Sequence, residues 1–280
     1  MNVNKIYNED CIATMSRMVS DNIHPNIVLT SPPYNTARHS SCNKDKRLQN
    51  YEMRYSEYEE NKTLEEYNEW MIDIFNHYDD VLAKNGVVLF NISYGAENPN
   101  QLWLLLADII NKTNFMIADT IIWKKSNALP NNQSSNKLTR LCEFVFVICR
   151  KNEYHTYIAN KTISSVAHTG QRFYNSIYNI IEAKNNDGVC KYNKATFSED
   201  FVLSLLKMYC PNDQRESNIL VYDSFMGTGT TAIGCVRYGV NYIGSEISKE
   251  QCTVAEQRLN GISLSDISKG TKKQINTKLF

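Results

Sequence analysis

The sequence has no excess of charge of either sign and no long hydrophobic run. Its 280 residues include 30 lysines and arginines against 30 aspartates and glutamates, so the formal net charge is zero. No overall electric field draws such a chain to a polyanion or a membrane surface, and contact with nucleic acid requires local clusters of basic side chains. No stretch reaches the roughly 18 apolar residues of a membrane-spanning helix, and the N-terminal segment has no apolar core. We therefore expect a cytoplasmic protein with no membrane partner.

Cysteine is scarce and irregularly spaced. The eight cysteines include no C-x-x-C pair and no neighbouring histidine cluster with metal-ligand spacing. They are too few for a disulfide framework, and their spacing argues against structural zinc. We expect reduced thiols and no bound metal. With 42% hydrophobic residues, the chain has enough apolar side chains for one or at most two domains.

A glycine turn near the C-terminus follows a short apolar run. Residues Ile219–Tyr222 lead into Asp223, and Gly227 and Gly229 precede a second apolar segment. This pattern predicts a strand, a turn and a helix. Glycine has no Cβ, so a ligand can approach the backbone of the turn closely. The turn is not a phosphate-binding P-loop, because no Gly-Lys-Ser/Thr follows it.

A second strand-to-helix unit follows directly. The predicted strand Tyr242–Ser245 ends at Glu246, and Ser248 and Gln251 have the spacing of a capping box that opens a helix. Two consecutive units of this kind predict a parallel sheet covered by helices. A carboxylate at the strand end, such as Glu246, can accept hydrogen bonds from both hydroxyls of a ribose.

The N-terminal half contains a similar strand end with different chemistry. The buried-strand run Asn26–Thr30 stops at the Ser-Pro-Pro-Tyr segment Ser31–Tyr34, since two prolines cannot continue a central ladder. Proline has no backbone donor, so its carbonyls are free to accept. A hydroxyl, carbonyl acceptors and an aromatic ring suit a planar base with an exocyclic amine. Carboxyl ends of parallel strands share one crevice, so this segment should face the glycine turn.

The rest of the chain predicts further elements with less detail. Thr63 and Glu66 have capping-box spacing, ahead of a helix that ends near residues 85–86. Asn98 and Pro99 are a plausible cap and first-turn pair for a helix through Ile110. Three polar, irregular stretches are expected as loops: 35–61, 124–140 and 150–194. Three apolar runs are expected as strands: 87–90, 116–123 and 143–149. The last two are expected to be adjacent at a sheet edge.

Together these motifs resemble the amino-methylating DNA methyltransferases that use S-adenosylmethionine, from about Asn4 to Leu259. In that family a D-x-F-x-G-x-G segment holds the cofactor and an S/D/N-P-P-Y/F/W segment holds the target base. Because Ser31–Tyr34 precedes the glycine turn, the order is similar to the circularly permuted β class. The resemblance implies an α/β, Rossmann-like methyltransferase fold, with a mostly parallel sheet, helices on both faces and a small irregular target-recognition region. The implied parts are a catalytic half at 1–150, target recognition at 151–193, a cofactor half at 194–260 and a polar tail at 261–280.

The resemblance also implies a set of cofactor contacts. Asp10 is expected near the adenine, Phe225 at the sulfonium end and Glu246 on the ribose. The residue pair Asn193-Lys194 departs from the His-Pro that is usual in the segment before the glycine turn. The full candidate set for S-adenosylmethionine is Asp10, Cys11, Thr196, Phe197, Asp223, Phe225, Gly227, Gly229, Thr230, Glu246 and Ile247.

The implied reaction is in-line methyl transfer to the exocyclic nitrogen of a flipped-out base. Ser31 and the carbonyls of Pro32 and Pro33 are expected to accept hydrogen bonds from the amine, while Tyr34 stacks on the base. Serine at the first motif position goes mostly with cytosine N4 in the family, and adenine N6 is the alternative. Carbon-5 methylation is disfavoured, because no cysteine stands in a Pro-Cys-Gln segment.

Two readings outside DNA methylation stay open. One is methylation of RNA or of a protein amide, and the other is a non-enzymatic nucleic-acid-binding protein with a degenerate site. Local basic clusters in the polar segments are the expected contacts with double-stranded DNA. A restriction-modification system is the expected context. The sequence leaves open whether a cognate endonuclease exists and whether the protein is a homodimer. The candidate residues are Arg38, Lys44, Arg47, Lys124, Lys125, Arg140 and Arg172.

Overall fold

The computed structural model describes residues 1–35, 62–93, 98–127, 135–136, 138–186, 197–210 and 218–261. The strands of these residues are β1 Lys5–Tyr7, β2 Ile27–Thr30, β3 Val87–Ile92, β4 Phe115–Lys125, β5 Cys142–Arg150, β6 Ile163–Val166, β7 Arg172–Tyr174, β8 Ile180–Ala183, β9 Leu220–Asp223 and β10 Asn241–Ser245. The helices are α1 Cys11–Ser20, α2 Leu64–Val81, α3 Gln101–Lys112, α4 Glu199–Tyr209, α5 Thr230–Tyr238 and α6 Lys249–Asn260.

Eight of the strands form one sheet in the order β1-β10-β9-β2-β3-β5-β4-β8. All neighbouring pairs are parallel except the two that β5 makes, with β3 and with β4. The expected mostly parallel sheet is therefore confirmed. Strands β6 and β7 form a separate antiparallel hairpin.

Helices cover both faces of the sheet, as expected. The buried side chains of α1, α2 and α3 form one core with Val28 of β2, whereas those of α4, α5 and α6 form a second core with Ile27 and Leu29. Successive strand residues point to opposite faces, which is why neighbours in β2 belong to different cores. All four residues of β2 are buried, because this strand lies in the middle of a sheet covered on both sides.

Two helix starts differ in how well their caps were predicted. The capping box of α2 is confirmed, because the Thr63 hydroxyl accepts from the backbone N–H of Glu66 and the Glu66 carboxylate accepts from that of Thr63. The predicted cap at Asn98 is wrong. Residues Pro99 and Asn100 form a turn, and α3 begins at Gln101 without a side-chain cap. Buried residues of α3 such as Leu102, Leu105 and Ile109 stabilise this uncapped helix, since tertiary packing supplies most helical stability.

Strands β4 and β5, near one end of the sheet, were predicted as an adjacent pair at its edge. Strands β4 and β5 are adjacent and antiparallel, as expected. They do not end the sheet, because β8 pairs in parallel with β4. This strand lies within the stretch 151–193 that the family resemblance assigns to target recognition. No helix in the described ranges is both long and apolar enough to cross a membrane.

Candidate active site

The two predicted motifs lie at neighbouring strand ends. Strands β10, β9 and β2 are consecutive and parallel in the sheet, so their carboxyl ends lie along one edge. The catalytic loop, Ser31–Tyr34, follows β2, and the glycine loop, Ser224–Gly229, follows β9. A hydrogen bond of 2.9 Å from the Thr30 hydroxyl to the Asp223 carboxylate joins the two strand ends directly.

Asp223 organises the glycine loop from inside the protein. Its carboxylate is buried and accepts from the Thr30 hydroxyl, from the backbone N–H of Phe225 at 3.0 Å and from the Thr231 hydroxyl at 2.6 Å. Burial raises the pKa of Asp223 to about 6, while these three donors favour the ionised form. The structure thus gives Asp223 a role in shaping the loop that would hold a ligand.

The two glycines of the loop have different surroundings. Both have positive φ angles, 55° at Gly227 and 85° at Gly229, a region that favours glycine. A Cβ on Gly229 would lie 2.8 Å from the Cβ of Ala255 on α6. The Arg258 guanidinium of the same helix donates to the Thr228 carbonyl at 2.6 Å. Gly229 therefore permits α6 to pack against the loop, a role that sequence reasoning did not assign to it.

Thr230, another expected cofactor residue, belongs to the same packing. Its side chain is buried at the start of α5, and its hydroxyl accepts from Arg258 at 3.2 Å. Arg258 thereby contacts both the glycine loop, at Thr228, and the start of α5, at Thr230. Sequence reasoning missed this arginine. It lies in the last turn of α6, where a basic residue is common for reasons unrelated to a site.

Glu246, for which a ribose contact is predicted, directly follows β10. One carboxylate oxygen accepts from the backbone N–H of Gly227 at 2.8 Å, and the other accepts from that of Ser248 at 2.9 Å. Each carboxylate oxygen has two lone pairs and can accept more than one hydrogen bond. The side chain of Ile247, next in the chain, is 47% exposed and offers an apolar surface beside this carboxylate. The Asn8 amide, which sequence reasoning missed, donates to the carbonyls of both residues at 2.9 and 2.8 Å.

An aromatic series on α2 connects the two loops. The ring of Phe225 lies 5.6 Å from that of Trp70, which lies 5.8 Å from that of Tyr67. The Tyr67 hydroxyl donates to the Pro33 carbonyl at 2.8 Å. Tyr67 and Trp70 are apolar positions of the helix predicted after Thr63, but nothing in the local sequence indicates their contact with both loops. Because Tyr67 already donates to the Pro33 carbonyl, this carbonyl is less available to a target amine than expected.

The catalytic loop is held by polar groups of the sheet. The Ser31 hydroxyl donates to the Tyr34 hydroxyl at 3.2 Å, and the latter lies 3.3 Å from Asn91 Oδ1 and 3.4 Å from Glu143 Oε2. Burial, followed by the Glu143 charge, raises the pKa of Tyr34 well above its usual value. Asn91 and Glu143, at β3 and β5, were not predicted as site residues. The tyrosine ring thus has a fixed orientation at the strand end.

Asp10 and Cys11 lie at the N-terminus of α1, next to the cofactor edge of the sheet. The backbone N–H of Glu246 donates to the Tyr7 carbonyl at 3.0 Å, which joins the end of β1 to that of β10. The exposed Asp10 caps α1 by accepting from the backbone N–H of Ile12 at 2.8 Å. Cys11 is buried, and burial raises the pKa of its thiol to about 12, so the thiol is protonated at neutral pH.

The remaining expected residues have mixed positions. Phe197 is half-buried with its ring 5.4 Å from that of Phe201 on α4. Lys124 pairs with Glu182 at 3.2 Å. Arg172 is exposed on β7. Arg140 is half-buried, and Lys125 pairs with Glu143. Four expected residues lie outside the described ranges: Thr196, Arg38, Lys44 and Arg47.

Gln101 is a further polar group near the catalytic loop. It lines a small pocket together with Tyr34, Tyr67 and Ser93, among others. Its side-chain nitrogen is buried and has no hydrogen-bond partner among the residues that the structure describes. An unsatisfied buried donor costs roughly 1–3 kcal/mol. No sequence motif marked this residue.

The sequence of the chain is similar to those of known methyltransferases. A family model described as DNA methylase, for N6 and N4 methyltransferases, matches residues 26–257. The chain is 21% identical over 288 residues to the type II methyltransferase M.Cfr9I of Citrobacter freundii, with 91% of this chain and 87% of the relative covered. It is 23% identical to the type II methyltransferase M.MjaI of Methanocaldococcus jannaschii, with 88% of each covered.

Solved structures show the same fold. The PvuII DNA methyltransferase, described as cytosine-N4-specific, superposes with a TM-score of 0.64 at 17% identity, over 99% of this chain and 94% of that one. The M1.HpyAVI-SAM complex superposes with a TM-score of 0.61 at 20% identity, over 91% and 99%. The expected α/β methyltransferase fold is confirmed.

Proposed function

The chain belongs to the family of N6 and N4 DNA methylases, and from this premise we propose that it transfers a methyl group from S-adenosylmethionine to cytosine N4 in double-stranded DNA. The observation that carries the proposal is the 2.9 Å hydrogen bond between Thr30 and Asp223. It holds the catalytic loop and the glycine loop side by side, so a cofactor on one loop and a base on the other would be neighbours. Proximity of this kind supplies much of the rate enhancement in group transfer.

The residues at the cofactor edge fit S-adenosylmethionine chemically. The Glu246 carboxylate can accept from ribose hydroxyls, Ile247 offers an apolar surface to the adenine, and Phe225 contacts Trp70, which leads toward the catalytic loop. When bound, the cofactor supplies an electrophilic methyl group on a sulfonium. The relative crystallised with SAM supports this choice of cofactor.

The catalytic loop would orient the amine of the target base. Its lone pair is delocalised into the ring, so acceptors on the amine hydrogens increase its nucleophilicity. The Ser31 hydroxyl and the Pro32 carbonyl are our candidates for these acceptors. Tyr34 and the pocket that includes Gln101 are candidates for contacts with the ring.

We prefer cytosine N4 to adenine N6 because Ser31 stands first in the motif and because a cytosine-N4-specific enzyme is among the structural neighbours. Adenine N6 is the second candidate, since the family includes both activities. Nucleoside mass spectrometry distinguishes them after incubation of a mixed-sequence duplex with the protein and methyl-deuterated cofactor. Labelled N4-methylcytosine is expected. Labelled N6-methyladenine would replace our choice of base, and unlabelled DNA would contradict the proposed activity.

The exposed β6–β7 hairpin is our candidate for reading the DNA sequence. Its side chains Arg172, Phe173 and Tyr174 are all exposed, and arginine is well suited to guanine edges. The hairpin lies in the stretch 151–193 proposed for target recognition. Because the relatives named above are type II methyltransferases, we also propose a place in a restriction-modification system.

A further inference from the structure

A hydrogen-bonded chain runs from the Ser31 hydroxyl to an ion pair inside the sheet. Ser31 Oγ and the Tyr34 hydroxyl are 3.2 Å apart, and the Tyr34 hydroxyl and Glu143 Oε2 are 3.4 Å apart. The other Glu143 oxygen accepts from the Lys125 ammonium. Catalytic hydrogen bonds are often long in a free enzyme and shorten when substrate binds. This series of hydrogen bonds thus connects the catalytic loop to the β4–β5 hairpin.

The partners of Tyr34 fix the direction of this chain. An ionised carboxylate can only accept, and so can the Asn91 Oδ1 atom, whose amide nitrogen donates to the Phe144 carbonyl at 3.0 Å. The Tyr34 hydroxyl has one hydrogen and must donate it to one of these two acceptors. Tyr34 therefore accepts from Ser31. Once the Ser31 proton is committed in this way, the Ser31 oxygen can only accept a further hydrogen bond.

The Lys125–Glu143 pair is shielded from solvent, unlike its neighbour. The side chains of Lys125 and Glu143 are each 16% exposed. In the adjacent Lys124–Glu182 pair the side chains are 46% and 38% exposed. Consecutive residues of β4 point to opposite faces of the sheet, so the Lys125–Glu143 pair reaches the catalytic loop and the Lys124–Glu182 pair does not. A shielded ion pair is weak evidence for net stabilisation, because the cost of desolvating both charges can offset their attraction.

We propose, on the basis of the proposed function, that Glu143 receives through Tyr34 and Ser31 the proton that the target amine loses on methylation. The amine nitrogen forms a bond to the methyl carbon with its lone pair, and the carbon–sulfur bond pair goes to sulfur. One amine proton passes to Ser31 Oγ, the Ser31 proton passes to Tyr34, and the Tyr34 proton passes to the carboxylate. Water takes it from Glu143 afterwards. Glu143 touches no substrate and acts through Tyr34.

The test is a double-mutant cycle under single-turnover conditions. E143Q keeps the size and an acceptor oxygen but cannot take up a proton, and Y34F keeps the ring but interrupts the chain. Each is expected to lower the methyl-transfer rate about 100-fold, the lower range for general-base catalysis, while KM for DNA and calorimetric affinity for the cofactor stay within about twofold. The double variant should be no slower than either single variant, since both break one pathway.

Two further variants separate proton transfer from structural support. D108N, which alters the more exposed Lys112–Asp108 pair on α3, should keep the wild-type rate. E143D retains a carboxylate and should recover at least about tenfold of the loss in E143Q. If the unpaired Lys125 unfolds E143Q, the same cycle is run on K125M/E143Q, in which no buried charge is left alone.

The outcomes are distinct from those of the proposed function. Three results would overturn the role of Glu143 while leaving methyl transfer established. They are a wild-type rate in E143Q, a rate in the double variant reduced by the product of the two single reductions, and a rate in E143D as low as that of E143Q. Wild-type protein that binds the cofactor but labels no DNA would instead contradict the proposed function itself.

Discussion

Asp223 is the residue on which both loops depend, and its carboxylate is buried among three donors. From the sequence, the acid and the glycines after it predicted a ligand-binding turn. The part that could not be predicted is the packing role of Gly229, because Ala255 lies 26 residues away in the chain and only the fold brings it into contact. The motif was visible locally, whereas the contacts of each motif residue depend on distant elements.

The raised pKa of Asp223 predicts a pH dependence of stability. Its pKa is about 6 when folded against about 4 when unfolded, so the folded state binds the proton more tightly. The ionised group therefore lowers stability above pH 6, and this loss is removed as the pH falls toward 4. Between pH 7 and pH 5 the wild type should gain about 1 kcal/mol relative to D223N in denaturant unfolding. A difference that does not change with pH would contradict the burial of this charge.

Gly229 should tolerate a side chain less well than Gly239, although their φ angles are nearly equal at 85° and 88°. Nothing lies within 4 Å of a Cβ at Gly239, while one at Gly229 would meet Ala255. G239A should lower the free energy of unfolding by about 1–2 kcal/mol through backbone strain alone. G229A should lower it by at least about 1 kcal/mol more, because overpacking is added. Equal losses by thermal denaturation would refute the packing role.

At the scale of elements, helix α2 shows what local patterns can and cannot predict. Its start was predicted because a capping box is a local signal. The contact of its aromatic face with both loops was not, since periodicity identifies a buried face without naming its partners. Strand β8 was missed for a similar reason. Its four residues form an edge strand only through pairing with β4, about 60 residues earlier in the chain.

The link between α2 and the catalytic loop predicts the effect of Y67F. This change removes the hydroxyl that donates to the Pro33 carbonyl at 2.8 Å and keeps the ring against Trp70. The loop should become less ordered, so we expect a several-fold lower methyl-transfer rate with unchanged cofactor affinity. Steady-state kinetics and calorimetry check this. An unchanged rate would show that the loop does not need α2 for its position.

At the scale of the whole molecule, acidic and basic side chains that sum to zero net charge occupy different parts of the structure. Several acids are used internally, such as Asp223 and Glu246 at the loops and Glu143 against Lys125. Arg172 lies exposed on the β6–β7 hairpin. The consecutive strand-to-helix units predicted a parallel sheet covered by helices, while the order of the strands and the position of the basic side chains required the fold.

This charge distribution predicts weakly salt-dependent DNA binding. A chain without net positive charge should hold DNA through only a few phosphate contacts, so a plot of log K against log salt should have a slope of about −3. Fluorescence anisotropy over a salt series measures it. A slope near −8 or steeper would require many phosphate contacts and would contradict the proposed placement of DNA.

The central claim is that the catalytic loop and the glycine loop form one site for methyl transfer to DNA. Its most direct test is transfer of a labelled methyl group from S-adenosylmethionine to duplex DNA by the wild type and by S31A, with cofactor affinity measured in parallel. We predict labelled DNA with the wild type and at least about a tenfold lower rate with S31A, while both proteins bind the cofactor equally. Equal rates in the two proteins, or cofactor binding without any transfer by the wild type, would contradict the account.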